Sequence, residues 1–204
     1  LKEECAIIGY YSINGEQSLI NNSISSLEEL QHRGRESSGI SYRNSKNEWG
    51  LYKGNGLVKD IFAEYKNNEL IKSVIGHNRY STSGKSSNTN DENMSNNNSN
   101  QIQPFYSARH NFAMVHNGNI QKISYDQNDS RYLFNYIEEY INKGFSMKFT
   151  LIKLLQTIKG IYNLIIQNDD GLFILRDRFG VRPFFYGHLD SNTIICGSET
   201  CGFG

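Results

Sequence analysis

The sequence has few cysteines, no excess of charge of either sign and no long apolar run, and each absence excludes a class of protein. Its 204 residues include only Cys5, Cys196 and Cys201, which is too few for a disulfide framework and predicts reduced thiols in the cytosol. Lys plus Arg and Asp plus Glu each number 21, so the net charge of zero gives no electrostatic reason to expect a nucleic acid or an anionic membrane as the main partner. No run of about 18 apolar residues and no signal peptide is present. We therefore expect a cytoplasmic protein with no nucleic-acid or membrane partner.

The length fits one domain with a sizeable core. The chain has no initiator Met and stops abruptly at Gly204, so we expect a fragment of a longer polypeptide or a processed start. Apolar periodicity predicts helices over 17–30, 129–141 and 145–158. It predicts strands over 5–12, 39–42, 49–52, 73–77, 111–116, 161–167, 172–176 and 193–196, with a turn at 53–56. Strand clusters towards both ends around central helices indicate an α+β layered domain.

The segment 86–100 differs from the rest of the chain. It is almost wholly Ser, Thr, Asn, Asp and Glu, and Met94 is its only apolar residue. Such a segment buries too little surface to offset its ordering entropy, so we predict a disordered surface insertion.

Cys5 follows the short acidic leader 1–4 and begins a predicted buried strand. If the Glu4–Cys5 bond is cut, the thiol and a free α-amine belong to one residue. That amine, with an ordinary pKa of about 7.7–8.0, is then a general base for the thiol. By position alone, a small buried core cysteine is the simpler interpretation.

Four further motifs each join a predicted strand end to a turn that contains glycine, a place where proteins often present functional groups. Each is weak when taken singly, since a lone Asn-Gly is most often a hairpin turn. The four motifs are Leu30-Gln31-His32-Arg33-Gly34-Arg35-Glu36-Ser37-Ser38-Gly39-Ile40, Gly76-His77-Asn78-Arg79-Tyr80-Ser81-Thr82-Ser83-Gly84, His116-Asn117-Gly118-Asn119-Ile120 and Arg176-Asp177-Arg178-Phe179-Gly180-Val181-Arg182-Pro183.

As an ordered set behind a near-terminal Cys5, these motifs resemble the glutaminase domain of the class II, N-terminal nucleophile (Ntn) glutamine amidotransferases. The resemblance runs from Glu4 to about Thr200. Residues 53–58, 103–105 and 197–200 match the amidophosphoribosyltransferase branch, which is also called glutamine phosphoribosylpyrophosphate amidotransferase. The resemblance implies a four-layer αββα sandwich. It also implies an enzyme of purine biosynthesis, which is a transferase of the glycosyltransferase type. Its glutaminase domain hydrolyses L-glutamine to glutamate and ammonia, and the ammonia passes to phosphoribosylpyrophosphate.

The resemblance also implies roles for individual residues. Cys5 is the nucleophile, and Asn117 with the backbone N–H of Gly118 stabilises the oxyanion, as preoriented donors do. Arg79 offers a bidentate guanidinium to the carboxylate of glutamine.

Other residues are given positioning roles by the same resemblance. Asp129 matches the aspartate that holds the ammonium group, although a helix N-cap is an equal alternative. Thr82 and His77 line the pocket, and Arg33 and Gly34 order the loop over Cys5. For His32, His77 and His116 we expect structural roles, because the amine removes the need for an imidazole base.

The sequence departs from the family pattern at three single positions, and it lacks the synthase half. Ala6 replaces a Gly, Arg131 replaces an acidic residue and Arg178 replaces a Pro. No phosphoribosyltransferase domain is present, so we expect one as a partner domain or subunit, to which Mg and phosphoribosylpyrophosphate would belong. Within this chain we expect no cofactor and no metal, since Cys196 and Cys201 supply too few thiols for a zinc or iron–sulfur site.

Two alternatives remain open at this level. The chain is a glutaminase module for another acceptor, as in the asparagine synthetase or glucosamine-phosphate synthase branches, or a non-catalytic module that retains the fold. Residues 53–58 and 103–105 argue against the first alternative. The joint presence of Cys5, Arg79, Asn117, Gly118 and Asp129 argues against the second.

Overall fold

The computed structural model describes residues 5–80, 101–121 and 128–203. Ten strands and four α-helices form within these ranges. The strands are β1 (Ala6–Glu16), β2 (Ser37–Asn44), β3 (Trp49–Asn55), β4 (Ile71–Arg79), β5 (Phe105–Ser107), β6 (Phe112–Ile120), β7 (Gly160–Asn168), β8 (Gly171–Arg176), β9 (Phe185–His188) and β10 (Thr193–Gly197). The helices are α1 (Leu19–Glu29), α2 (Val58–Ile61), α3 (Asp129–Asn142) and α4 (Met147–Thr157), and two short 3₁₀ helices cover Leu30–Arg33 and Thr200–Phe203.

The strands make two antiparallel sheets. Sheet A has six strands in the order β3-β2-β4-β1-β10-β9, and sheet B has four in the order β5-β6-β7-β8. In the described residues, no helix is long and apolar enough to cross a membrane.

The central strands are buried on both faces, which explains their nearly continuous apolar runs. Successive side chains point to opposite faces, so Ile7 packs between the two sheets with Val115 and Ile165, whereas its neighbour Ile8 packs against α1. In sheet B, Met114 and Ile166 instead face α3 and α4. Two sheets with helices on both outer faces form the αββα sandwich, which confirms the predicted fold.

The predicted elements agree with the structure except at short or weakly patterned segments. Lys53–Asn55 were predicted as part of a turn, but they end β3 because they pair with Ser37–Gly39, and only Gly56, with φ +114°, lies in the left-handed region. Helix α2 and strands β5 and β9, of three or four residues each, were not predicted, because so few residues show no period. The leader 1–4 and the insertion 86–100 lie outside the described residues.

Candidate active site

Strand pairing across both sheets brings the predicted site residues to one end of the sandwich. Cys5 immediately precedes β1, whose Ala6 pairs with Asn78, so Arg79 at the end of β4 lies beside the cysteine. Asn117 and Gly118 approach from β6 of the other sheet. These residues line a cavity of about 300 Å³ together with others from both sheets. The full lining is Cys5, His77, Arg79, Tyr80, Gln101, Gln103, His116, Asn117, Gly118, Asn119, Asn128, Ser130 and Arg182.

Backbone contacts fix Cys5 in an unusual conformation. Its φ of +64° lies in the left-handed region, which non-glycine residues rarely adopt. Its N–H donates to the carbonyl of Arg33 at 3.0 Å, and its own carbonyl accepts from Arg33 Nε at 2.8 Å. The thiol Sγ lies 3.4 Å from the backbone N of Tyr80, which donates to it. That N–H favours negative charge on the sulfur, the form in which a thiol acts as a nucleophile.

Arg33 and Gly34 lie beside Cys5 and contact its neighbours, and their predicted role in ordering the loop stays a prediction. Arg33 is almost fully buried, and its Nη1 pairs with Glu199. Burial alone would raise the pKa of Glu199, but the hydrogen bond and charge of Arg33 hold that pKa below its usual value. Gly34 packs directly on strand β4, because a Cβ there would come within 2.6 Å of the Arg79 backbone. Any side chain at position 34 would displace Arg79.

Asn117 and Gly118 are held in place by strand β6. Asn117 is buried, and its Nδ2 donates to the carbonyl of Cys5 at 3.3 Å. Gly118 has φ +157°, and a Cβ would lie 2.3 Å from the carbonyl oxygen of Ile161 on β7. Only glycine fits at this position. The Asn-Gly pair does not form a hairpin turn, because both residues lie within strand β6.

Arg79 lines the cavity and is held from outside by an ion pair. Its Nε lies 3.5 Å from Glu36 Oε2, and the two side chains are 29% and 39% exposed. A partly exposed pair of this kind contributes little to stability.

Asp129 occupies the first position of α3 and is not the N-cap. The cap is Asn128, whose side chain accepts from Arg131 N at 2.7 Å. Asp129 Oδ2 accepts from the N–H of Ile120 at 2.8 Å, which ties the start of α3 to the strand that carries Asn117. The helix N-terminus favours the negative charge of this carboxylate. A role for Asp129 in binding an ammonium group stays a prediction, and Thr82 lies outside the described residues.

The departures from the family motif do not obstruct the cavity. The guanidinium of Arg131 lies over the Phe105 ring, 3.9 Å from its centroid, and is not among the lining residues. Burial, with a smaller effect from Arg131, lowers the pKa of neighbouring Lys53 to about 8. Ala6 is fully buried behind the nucleophile.

Sequence reasoning missed a buried polar network in the wall of the cavity. Gln103 accepts from His116 N through Oε1 at 2.6 Å, and its Nε2 lies 3.2 Å from His77 Nε2 and 3.0 Å from Ser130 Oγ. Ser130 Oγ also lies 2.8 Å from His116 Nδ1. Gln103 had been noted only as part of a branch match, and Arg182 only as part of the fourth motif. Gln103, His116 and Ser130 connect β6 to α3 and so position Asn117.

Both network histidines are neutral at pH 7. Burial lowers the pKa of His77 to about 3, with His116 and Arg79 as further causes. Burial likewise lowers the pKa of His116 to about 4, where Asp129 opposes the shift and Arg182 adds to it. A structural role for these two histidines stays a prediction.

The histidine pair predicts a loss of stability in acid. Unfolded imidazoles bind protons near pH 6.5, whereas the folded ones stay neutral down to about 4 and 3, so the unfolded state gains protons first as pH falls. We expect each histidine to reduce the free energy of unfolding by about 1–2 kcal/mol between pH 7 and 5. Urea unfolding at both pH values measures this change, and His116→Gln should show a smaller change than wild type, whereas His188→Gln, at an exposed histidine, should not. Equal changes in all three proteins would contradict the prediction.

Comparisons with known proteins identify the family of this chain. A sequence profile described as "Glutamine amidotransferase domain" matches residues 91–203, more than half of the chain. The chain belongs to the glutamine amidotransferase domain family. It is 32% identical to amidophosphoribosyltransferase 3, chloroplastic, of Arabidopsis thaliana, over 98% of this chain and 38% of that protein. It is 29% identical to the amidophosphoribosyltransferase of Methanothermobacter thermautotrophicus, over 100% of this chain and 44% of that protein.

Solved structures show the same fold. One titled "Structure of the allosteric regulatory enzyme of purine biosynthesis" aligns with a TM-score of 0.76 at 26% identity, over 98% of this chain and 43% of that one. The glutamine phosphoribosylpyrophosphate amidotransferase of B. subtilis, complexed with ADP and GMP, aligns with a TM-score of 0.75 at 24% identity, again over 98% and 43%. The chain thus spans about two-fifths of the length of the relatives it matches.

Proposed function

We propose that this glutamine amidotransferase domain hydrolyses L-glutamine as the glutaminase half of an amidophosphoribosyltransferase. One observation supports this most directly: the Cys5 thiol, the Asn117 amide and the Arg79 guanidinium line the same cavity. Its volume, about 300 Å³, is at the lower end for small-molecule pockets and suits an amino acid. Nucleophile, oxyanion donor and carboxylate ligand are the three groups that amide hydrolysis of glutamine requires.

The proposed reaction begins with transfer of the thiol proton of Cys5 to the α-amine of the same residue. The sulfur attacks the carboxamide carbon, and negative charge develops on the former carbonyl oxygen, where Asn117 and Gly118 N–H donate to it. The α-amine gives its proton to the leaving nitrogen, ammonia departs and a thioester to Cys5 remains. Water attacks the thioester, the sulfur leaves with a proton, and glutamate is released.

This mechanism requires cleavage of the Glu4–Cys5 bond, because an amide nitrogen has no lone pair available to accept the thiol proton. We propose that residues 1–4 are a leader that is removed. The ammonia acceptor is proposed to be phosphoribosylpyrophosphate, in a phosphoribosyltransferase domain or subunit, since the relatives named amidophosphoribosyltransferase match nearly all of this chain. Cytoplasmic location remains a prediction from the cysteine content.

The direct test measures glutamate and ammonia released from L-glutamine by purified protein whose N-terminal residue has been determined by mass spectrometry. Hydrolysis by protein that begins at Cys5 is the expected result. Protein that begins at Cys5, folds normally and releases no glutamate would contradict the proposal and favour a non-catalytic module. Supplying a phosphoribosyltransferase partner tests the acceptor separately, with phosphoribosylamine formation as the readout.

Arg79→Lys is expected to raise the KM for glutamine strongly and to change kcat less. A lysine keeps the charge but cannot make the planar bidentate contact with a carboxylate. Steady-state kinetics measures both constants, with exposed Arg35→Lys as the matched control. An unchanged KM in Arg79→Lys would show that Arg79 does not hold the substrate carboxylate.

A further inference from the structure

A second group of chemically reactive side chains lies outside the cavity. It consists of His32, from the 3₁₀ helix Leu30–Arg33, Glu199, which follows β10, and Cys201, from the 3₁₀ helix Thr200–Phe203. His32 Nε2 lies 3.1 Å from Glu199 Oε2, and Cys201 Sγ lies 3.6 Å from the same oxygen. The three potential ligand atoms all lie within 4.8 Å of one another. They come from opposite ends of the sequence, so no local motif reveals them.

The spacing of these atoms fits one tetrahedral ion. Zinc binds His nitrogen at about 2.0–2.1 Å, carboxylate oxygen at about 2.0–2.2 Å and Cys sulfur at about 2.3 Å. At tetrahedral angles these bond lengths place nitrogen and oxygen about 3.3–3.4 Å apart, and oxygen and sulfur about 3.6 Å apart. The observed nitrogen–oxygen and oxygen–sulfur separations are 3.1 Å and 3.6 Å, and the nitrogen and the sulfur lie within 4.8 Å of each other. Side-chain movements of the exposed His32 and Cys201 would bring all three atoms to bonding distance of one ion.

Two of the three side chains are also oriented by groups outside the cluster. His32 Nδ1 lies 3.0 Å from the carbonyl of Glu29, which accepts its proton and leaves Nε2 as the ligand atom. Glu199 uses Oε1 for Arg33, and Oε2 is the oxygen that faces His32 and Cys201. Metal sites commonly hold their ligands through such outer contacts. Binding at Oε2 therefore leaves the Arg33 pair in place.

We propose that His32, Glu199 and Cys201 form a binding site for one zinc-class divalent ion, with the fourth position open to solvent. Mixed nitrogen, oxygen and sulfur ligands suit zinc and its analogue cobalt rather than magnesium or calcium. Because His32 and Cys201 are both exposed, solvent reaches the ion. Counting thiols argued against a metal in this chain, but the count omitted the histidine and the carboxylate that the fold places beside Cys201.

The position of the site gives it a structural role behind the nucleophile. The ion would link the helix Leu30–Arg33 to the segment that begins at Glu199 and continues into the helix Thr200–Phe203. Through Glu199 it adjoins Arg33, whose Nε holds the Cys5 carbonyl at 2.8 Å. The ion thus stabilises the Glu199–Arg33 pair that holds Cys5, and it does not contact the substrate cavity. The inference does not depend on the proposed glutaminase activity.

The test uses Co²⁺ as the probe on the metal-free chain. All proteins carry Cys5→Ala, so that the nucleophile thiol cannot bind the probe. We expect one equivalent of Co²⁺, a thiolate-to-cobalt absorption band in the near ultraviolet, displacement by Zn²⁺ and a higher melting temperature with metal. Cys201→Ser should abolish the band. His32→Ala should weaken binding by about 100-fold or more, because loss of an outer contact to a ligand alone costs about 10–100-fold. His188→Ala, at another exposed histidine, is the matched control and should bind Co²⁺ as the parent does.

Three results would overturn the proposal. They are a band that persists in Cys201→Ser, His32→Ala binding as tightly as the parent, or binding to the parent only at millimolar Co²⁺. Circular dichroism checks that each variant is folded. If Cys201→Ser does not fold, the affinity of His32→Ala decides, because that exposed side chain contributes little to the core.

Discussion

Replacing Cys5 with alanine is expected to abolish glutamine hydrolysis and to leave residues 1–4 attached to the chain. Both reactions need the same sulfur as nucleophile, one attacking the carboxamide of glutamine and the other the Glu4–Cys5 bond. The fold should survive, because the bonds that hold residue 5 to Arg33 and Asn117 use its backbone N–H and carbonyl. Alanine also meets the same strain at φ +64° as cysteine, so that cost does not change.

Glutamate release measures the first effect, the intact mass measures the second, and thermal unfolding measures the fold. Substantial hydrolysis of glutamine by Cys5→Ala would show that Cys5 is not the nucleophile. Wild-type protein with Leu1 intact and full activity would leave Cys5 as a possible nucleophile but would contradict the free-amine mechanism. Loss of activity together with a large fall in melting temperature would show instead that the thiol supports the structure.

The long elements of this fold could be predicted because their patterns are local. Strand β1 begins with an apolar run over residues 6–11, and α3 repeats Leu133, Ile137 and Ile141 at helical spacing. Strands β5 and β9 are three and four residues long, so their existence depends on pairing with β6 and β10, which no local pattern records.

The site could be predicted only in part, for a related reason. Cys5, Arg79 and Asn117 stand in recognisable motifs, and the cavity brings them together. The Tyr80 N–H that donates to the thiol is a backbone group, and residue types carry no signal for it. Ser130 gives too little signal alone, because its role comes from contacts with Gln103 and His116 that only folding creates.

Asn117→Ala is expected to lower kcat by about 10²–10³ and to change glutamine binding little. A side-chain donor at an oxyanion acts mainly in the transition state, when negative charge develops on the former carbonyl oxygen. Removing the amide should not unfold the strand, because Asn117 remains paired through its backbone with Asn163. The carbonyl of Cys5 also keeps the hydrogen bond from Arg33 Nε, so the nucleophile stays in place.

Steady-state kinetics on L-glutamine measures kcat and KM separately, and Asn192→Ala, at an exposed residue, serves as the matched control. Asn117→Asp is the sharper second variant, because it preserves shape while removing both donors and adding negative charge where the oxyanion forms. It should therefore be at least as slow as Asn117→Ala. If either variant raises KM and leaves kcat unchanged, Asn117 positions the substrate and the oxyanion must be stabilised by other donors, with Gly118 N–H the nearest candidate on the same strand.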